Sequence, residues 1–157
     1  MSAHLVFQAP IGSIIAWSDG MPRPPERHRK KLSAWKSNNS SGRLIRKQEH
    51  RAVGDTSLPG DFTLHEADHG AGGVIAIRVH RTFSTDSTLR FSVLERPALD
   101  SVRVFNREGD GAELVYLAAH RADAEEWLSR HGYPRAVLDE VTADELAGDV
   151  VEGRSVA

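Results

Sequence analysis

The sequence predicts an α+β protein: an antiparallel β-meander packed with C-terminal helices, preceded by an N-terminal strand–basic helix–strand unit. Three observations carry this. Between residues 75 and 118, apolar side chains alternate with polar ones, the period-two signature of half-buried strands. From about Arg121 to His131 the spacing turns helical, with Ala124, Trp127, Leu128 and His131 on one face. At the N-terminus, a proline-led basic stretch lies between apolar runs, as a helix between strands would.

In chain order, His4 to Gln8 reads as a strand and Ser13 to Trp17 as a second, with Pro10 and Gly12 between them. Ser18-Asp19-Gly20 is a turn, because Asp bonds its own backbone and Gly accepts positive φ. Pro22-Arg23-Pro24-Pro25 then introduces a helix over about 24–38, with a thin apolar stripe of His28, Leu32 and Trp35. Asn38-Asn39-Ser40-Ser41-Gly42 would end it in residues tolerant of left-handed backbone. A basic strand, Arg43 to Lys47, follows. Residues 50–61 are polar and read as a loop, Phe62 to Leu64 as a short strand, and Asp68 to Gly73 as a turn.

The meander proper uses Ile75, Ile77, Val79 and Phe83, then Leu89, Phe91 and Val93, then Val102 to Val104, then Leu114 to Ala118. The turns are Ser84 to Ser87, Pro97 to Asp100, and Glu108-Gly109-Asp110-Gly111. After the helix ending at Gly132, Pro134 to Val141 reads as a helical turn or loop. Thr142-Ala143-Asp144-Glu145 matches a capping box that would start a last helix with Leu146 and Val150 on its buried side.

At 157 residues the chain fits one domain, and a chain of that size buries about 70% of its unfolded surface. We divide it into a basic segment, 1–53, and an antiparallel sheet with C-terminal helices, 54–157, as one compact unit. No apolar run approaches the roughly 18–20 residues of a membrane span, and no signal-peptide core is recognisable. There is no Cys, which excludes disulfides, thiol catalysis and Cys-ligated metals. The expectation is a cytoplasmic protein with no membrane partner and no cofactor.

The net charge of −2 conceals an asymmetry. Residues 20–53 hold ten basic and two acidic residues, +8. Residues 54–157 hold ten basic and nineteen acidic residues, −9, and Asp19 supplies the rest. Such a split points to a basic arm for an anionic partner, or to halves that attract each other.

His65-Glu66-Ala67-Asp68-His69 fits the pattern in which two His one helical turn apart bind zinc and Glu acts as base. That chemistry requires a helix. The strand-like Phe62-Thr63-Leu64 before it and the glycines at 70, 72 and 73 after it oppose one, and Ile75 stands where a third ligand would. His65 and His69 are therefore metal candidates only if the motif is helical.

The second candidate is the basic set Arg23, Arg27, Arg29, Lys30, Lys31, Lys36, Arg43, Arg46 and Lys47, with Arg51 beyond it. Clustered Lys and Arg are what phosphate contact needs, and Asn38, Asn39, Ser40 and Ser41 could add neutral donors. The third is a ribonuclease-like grouping of His80, Arg81, Arg90, Glu95, Arg103, Arg107 and His120 around the meander.

Three classes follow. The leading one is a non-enzymatic accessory protein that binds an anionic partner, nucleic acid first, through its basic helix. The second is a protein-interaction or inhibitor module whose basic segment docks an acidic protein surface. The third is a small metal-dependent or ribonuclease-like hydrolase.

Overall fold

A computed structural model describes residues 1–69 and 77–146, with the side chains at 67–69 and 77–79 left aside. The turn expected over Asp68 to Gly73 is overturned at Asp68 and His69, which continue a strand; its remainder, 70–73, and the Val150 face of a last helix lie outside the described residues. The α+β class holds: antiparallel sheets dominate, and helical elements lie in the C-terminal part of the described residues.

The elements are α1 (Ala3–Val6), β1 (Ile14–Ser18), α2 (Arg29–Asn38), β2 (Ser40–Gln48), β3 (Arg51–Val53), β4 (Thr56–Leu58), β5 (Asp61–His69), β6 (Ile77–Ser84), β7 (Arg90–Glu95), β8 (Val102–Phe105), β9 (Leu114–Ala118), α3 (Arg121–Arg130) and β10 (Val137–Glu140). A further helical turn occupies 143–146. The strand–basic helix–strand unit is β1–α2–β2.

The strands of the meander are shared between two sheets. The first has the order β6-β5-β2-β1-β7 and the second β10-β8-β9, while β3 and β4 form a separate hairpin. The chain leaves the first sheet after β7 because Pro97 cannot donate to a ladder. The turn that follows holds Asp100 at φ 67° and bonds Ser101 Oγ to the Ala98 carbonyl at 2.6 Å.

The first sheet is strongly curled. In a flat sheet β6 and β7, four spacings apart, would lie about 19 Å from each other. Instead Phe83 on β6 and Phe91 on β7 meet edge to face with centroids 5.4 Å apart. Trp17 and Phe62 complete that cluster, at 5.1 Å and 5.7 Å from Phe83. Register shifts at Ile14/Ile15, Leu44/Arg46 and His65/Asp68 supply the bends. Inside the curl, Ile15, Leu44, Leu64 and Phe62 pack with Ala3, Val6 and Ala9.

Several local expectations change. His4 to Gln8 is not a strand; Ala3, Val6 and Ala9 are the buried positions, a spacing of three that belongs to helical turns. The basic helix starts at Arg29, after a turn in which His28 N bonds the Pro25 carbonyl. The 38–42 run is no left-handed stop: Asn39 has a negative φ of −144°, and Gly42 lies within β2 opposite Ile15. Gly42 is needed there for close approach, since a Cβ would sit 2.8 Å from the His65 carbonyl oxygen. The polar 50–61 stretch contains the β3–β4 hairpin, turned by Gly54 at φ 61°. Pro134 to Val141 contains β10, antiparallel to β8.

In the second sheet, α3 covers one face through Ala124, Trp127 and Leu128 against Val102, Val104 and Tyr116. His120 caps α3 by accepting from Asp123 N at 3.1 Å. Asp123 in return accepts from Ala119 N and Tyr116 Oη, and these bonds hold its carboxyl below the usual range. No helix among the described residues is long and apolar enough to cross a membrane.

Candidate functional site

The nine predicted basic residues fall into two sets. Arg23, Arg27, Arg29, Lys30, Lys31 and Lys36 are all exposed on α2 and the loop before it. Their only ion pair among the described residues is Arg23 to Glu26, at 3.9 Å. Among the described residues, no ion pair joins this basic face to the acidic half of the chain. Arg29 and Lys36, seven apart, share one flank of the helix; Lys30 is central and Lys31 lies on the other flank. Arg43, Arg46 and Lys47 are drawn into the fold. Arg43 Nη1 donates to the Gly12 carbonyl at 2.6 Å, and Arg46 Nη2 to Thr63 Oγ1 at 3.5 Å. Arg51 pairs with Asp61 at 3.7 Å.

The six exposed cations have an unusual base. α2 has no acid in its first turn and no side-chain cap, and its first three residues are Arg29, Lys30 and Lys31. They sit at the positive end of the helix dipole, where anions are favoured and cations are not. A small set of contacts roots the helix. Leu32 is its one buried residue, and the Ser37 carbonyl accepts from Trp17 Nε1 at 3.0 Å and Arg81 Nη1 at 3.2 Å. Asn39 Nδ2 donates to the Trp35 carbonyl and to Asp19 Oδ1, tying the helix end to the β1–α2 turn. The Met21 amide and Asn39 hold the Asp19 carboxyl below its ordinary value.

Strand pairing adds two cations that sequence order hides. Arg81, on β6, lies over the Trp17 ring at 5.7 Å beside the end of α2. Arg90, on β7, approaches Gly20 in the turn that leads to α2. Trp35, placed with the core by its spacing, is half-buried: its Nε1 donates to the Met21 carbonyl at 2.8 Å, and Arg23 lies 5.9 Å from its ring.

The helix that the zinc motif requires is not formed. His65 to His69 lie in β5, so the two backbones stand about 13 Å apart instead of one helical turn. His65 is opposite His80, and their rings meet edge to face at 5.2 Å. Glu66 accepts from Ser40 Oγ at 2.8 Å. No group of three metal-ligating side chains occurs among the described residues.

The ribonuclease-like grouping is not assembled either. Arg103 is buried in the second sheet, His120 caps a helix, and Arg107 bonds the carbonyls of Glu108 and Asp110 in its own turn. No hydrogen bond or ion pair joins any two of the seven groups among the described residues.

A second polar centre lies between the sheets, and it has no local sequence signal. Arg103 is 5% exposed on the central strand β8. Its guanidinium forks onto Glu145, at 2.7 Å and 2.9 Å, and reaches Asp139 at 2.5 Å and the Ile11 carbonyl at 3.3 Å. Burial opposes its charge, but Glu145 and then Asp139 outweigh that and raise its pKa. The predicted capping box is thus half used. Thr142 Oγ1 accepts from Glu145 N at 3.3 Å, while the Glu145 carboxylate serves Arg103.

Lys47, near the far end of β2 from α2, adjoins this centre. Burial pushes its ammonium down to about 8; Glu145 opposes the shift and Arg103 adds to it. It lines a cleft of about 510 Å³ together with Phe7, Ile11, Phe105, Leu138 and Asp139.

The chain belongs to a conserved family, described as uncharacterised conserved protein UCP036055, which matches residues 1–145. No curated protein and no solved structure matches the chain.

Proposed function

We propose that this family member is a cytoplasmic, non-enzymatic accessory protein that binds nucleic acid through α2 and the loop before it. One observation carries the reading. Six cations between Arg23 and Lys36 are exposed with a single acid among them, and three of them, Arg29, Lys30 and Lys31, crowd the dipole end that an anion would relieve. A phosphate backbone offers anions at the density such a cluster matches. Arg81 and Arg90 widen the positive surface on the sheet side. Trp35 and Asn38 add a ring and an amide of the kinds that meet bases, sugars and phosphates.

The test is retention of short single-stranded and duplex nucleic acids by the wild type and by the triple variant Arg27→Glu, Lys30→Glu, Lys31→Glu. All three positions are exposed and make no ion pair among the described residues, so the fold is expected to survive, with the thermal transition as control. If about six phosphates are contacted, wild-type affinity falls about a thousandfold between 50 and 200 mM salt. The triple variant should lose retention. Equal binding by both proteins at 50 mM salt, or binding indifferent to salt, would refute the reading. An acidic protein fits the same charges. Clean material without nucleic acid, joined to an acidic protein in a salt-sensitive complex, is the outcome that would favour it.

A further inference from the structure

Of the four lysines in the sequence, three are the exposed Lys30, Lys31 and Lys36 on α2. The fourth, Lys47, is different in kind. It lines the cleft between the end of α1, the β8–β9 turn and β10, whose walls are largely apolar. Its ammonium makes no hydrogen bond and no ion pair among the described residues, although Arg103 beside it makes four hydrogen bonds. A half-buried amine without hydrogen-bond partners among the described residues, on the wall of a cleft of small-molecule size, is a group open to a ligand.

The charges around it narrow the ligand class. The other ionisable groups on the lining are Glu49, Glu108, Asp110 and Asp139 against Arg107. Arg107 is committed to the Glu108 and Asp110 carbonyls. A carboxylate or phosphate would meet this acidic rim at a loss. An uncharged ligand with an apolar body and one group that reacts with an amine would not.

We propose that the cleft is a binding site for a small neutral aldehyde or ketone, held as an imine on Lys47 Nζ. The nitrogen lone pair attacks the carbonyl carbon while the C=O π pair moves to oxygen. One amine proton passes to that oxygen to give the carbinolamine. The hydroxyl then leaves with the second amine proton as water, and C=N forms. Asp139 and Glu49, on the same lining, are the carboxylates available to relay those protons. The depressed pKa of Lys47 supports this chemistry, because a sizeable fraction of its amine is neutral near physiological pH. The site is independent of α2, and the two proposals stand or fall separately.

The test treats the full chain with butyraldehyde and cyanoborohydride at pH 7, then maps butylation at each lysine by mass spectrometry. Lys47 should be modified about tenfold or more faster than Lys30, Lys31 or Lys36, as its larger neutral fraction requires. Its rate should saturate with aldehyde concentration, whereas the α2 lysines should respond linearly. Glyoxylate, an aldehyde bearing a carboxylate, should lose the preference for Lys47. Modification of Lys47 at or below the rate of the α2 lysines would overturn the proposal. So would a linear concentration dependence at Lys47, or an equal preference with glyoxylate.

Discussion

Lys47 should be a liability to the fold, and replacing it with Met should show by how much. Burial takes its ammonium from 10.5 to about 8, with Glu145 only partly offsetting the loss of hydration and Arg103 adding repulsion. An amine with a lower pKa when folded binds fewer protons in the folded chain than in the unfolded one. Stability therefore rises with pH between about 8 and 10.5; the penalty is complete below that window and gone above it. The drop in pKa is worth about 3 kcal/mol. Met has a similar length and no charge, so Lys47→Met should stabilise the protein by up to about 3 kcal/mol at pH 7. With a urea slope of about 2 kcal/mol/M, that moves the midpoint by about 1.5 M. The assay is urea unfolding of both proteins at pH 7, 8, 9, 10 and 10.5. Groups common to both cancel in the difference, which should shrink steadily towards the alkaline end. A difference that stays flat over this range, or a Met variant less stable than wild type at pH 7, would refute the reasoning.

Two further outcomes test the packing. Gly42→Ala places a Cβ 2.8 Å from the His65 carbonyl oxygen, between paired strands that cannot yield cheaply, and should cost about 2 kcal/mol or more in urea unfolding. Gly132→Ala, with nothing within 4 Å, should change stability by less than about 0.5 kcal/mol and serves as its control. Arg103→Met strips the partner from Glu145 and Asp139, whose side chains are 32% and 49% exposed. That exposure lets water compensate in part, so the expected loss is about 2–3 kcal/mol rather than the larger figure for a fully buried pair. A double-mutant cycle with Glu145→Gln should return a coupling above about 1 kcal/mol, and a coupling near zero would contradict the clamp.

What could be read in advance was local. Ile14-Ile15-Ala16-Trp17 form a short apolar run closed by the Ser18-Asp19-Gly20 turn, and β1 lies there. Ala124, Trp127 and Leu128 keep a helical period, and α3 runs within one residue of the expected span. The class followed from these patterns. The short elements escaped because they carry too little pattern. α1 buries small residues over four positions, the residues of β3 and β4 are nearly all exposed, and Val137-Leu138-Asp139-Glu140 in β10 does not alternate. The division into two sheets was invisible for another reason: pairing is set by long-range packing, and nothing in Phe83 or Phe91 says that their strands will converge. The same holds for the sites. The α2 cations are contiguous in sequence and could be named. Arg81 and Arg90 join them only through the sheet, and the setting of Lys47 needs Arg103 and Glu145 from distant strands and turns.

The shallow rooting of α2 has a thermodynamic consequence. An element held by one buried leucine, a half-buried tryptophan bonded to the Met21 carbonyl, two bonds to one carbonyl and an asparagine tie opens before the sheet beneath it does. Its first turn also resists winding, because like charges gather at its positive pole. An anion that settles there changes the equilibrium between wound and frayed states as well as filling a site. Part of the affinity must go into ordering the helix, so the apparent binding strength of this surface depends on the helix's own stability. His28→Ser, which offers the missing cap, would strengthen binding without adding a single contact to the partner.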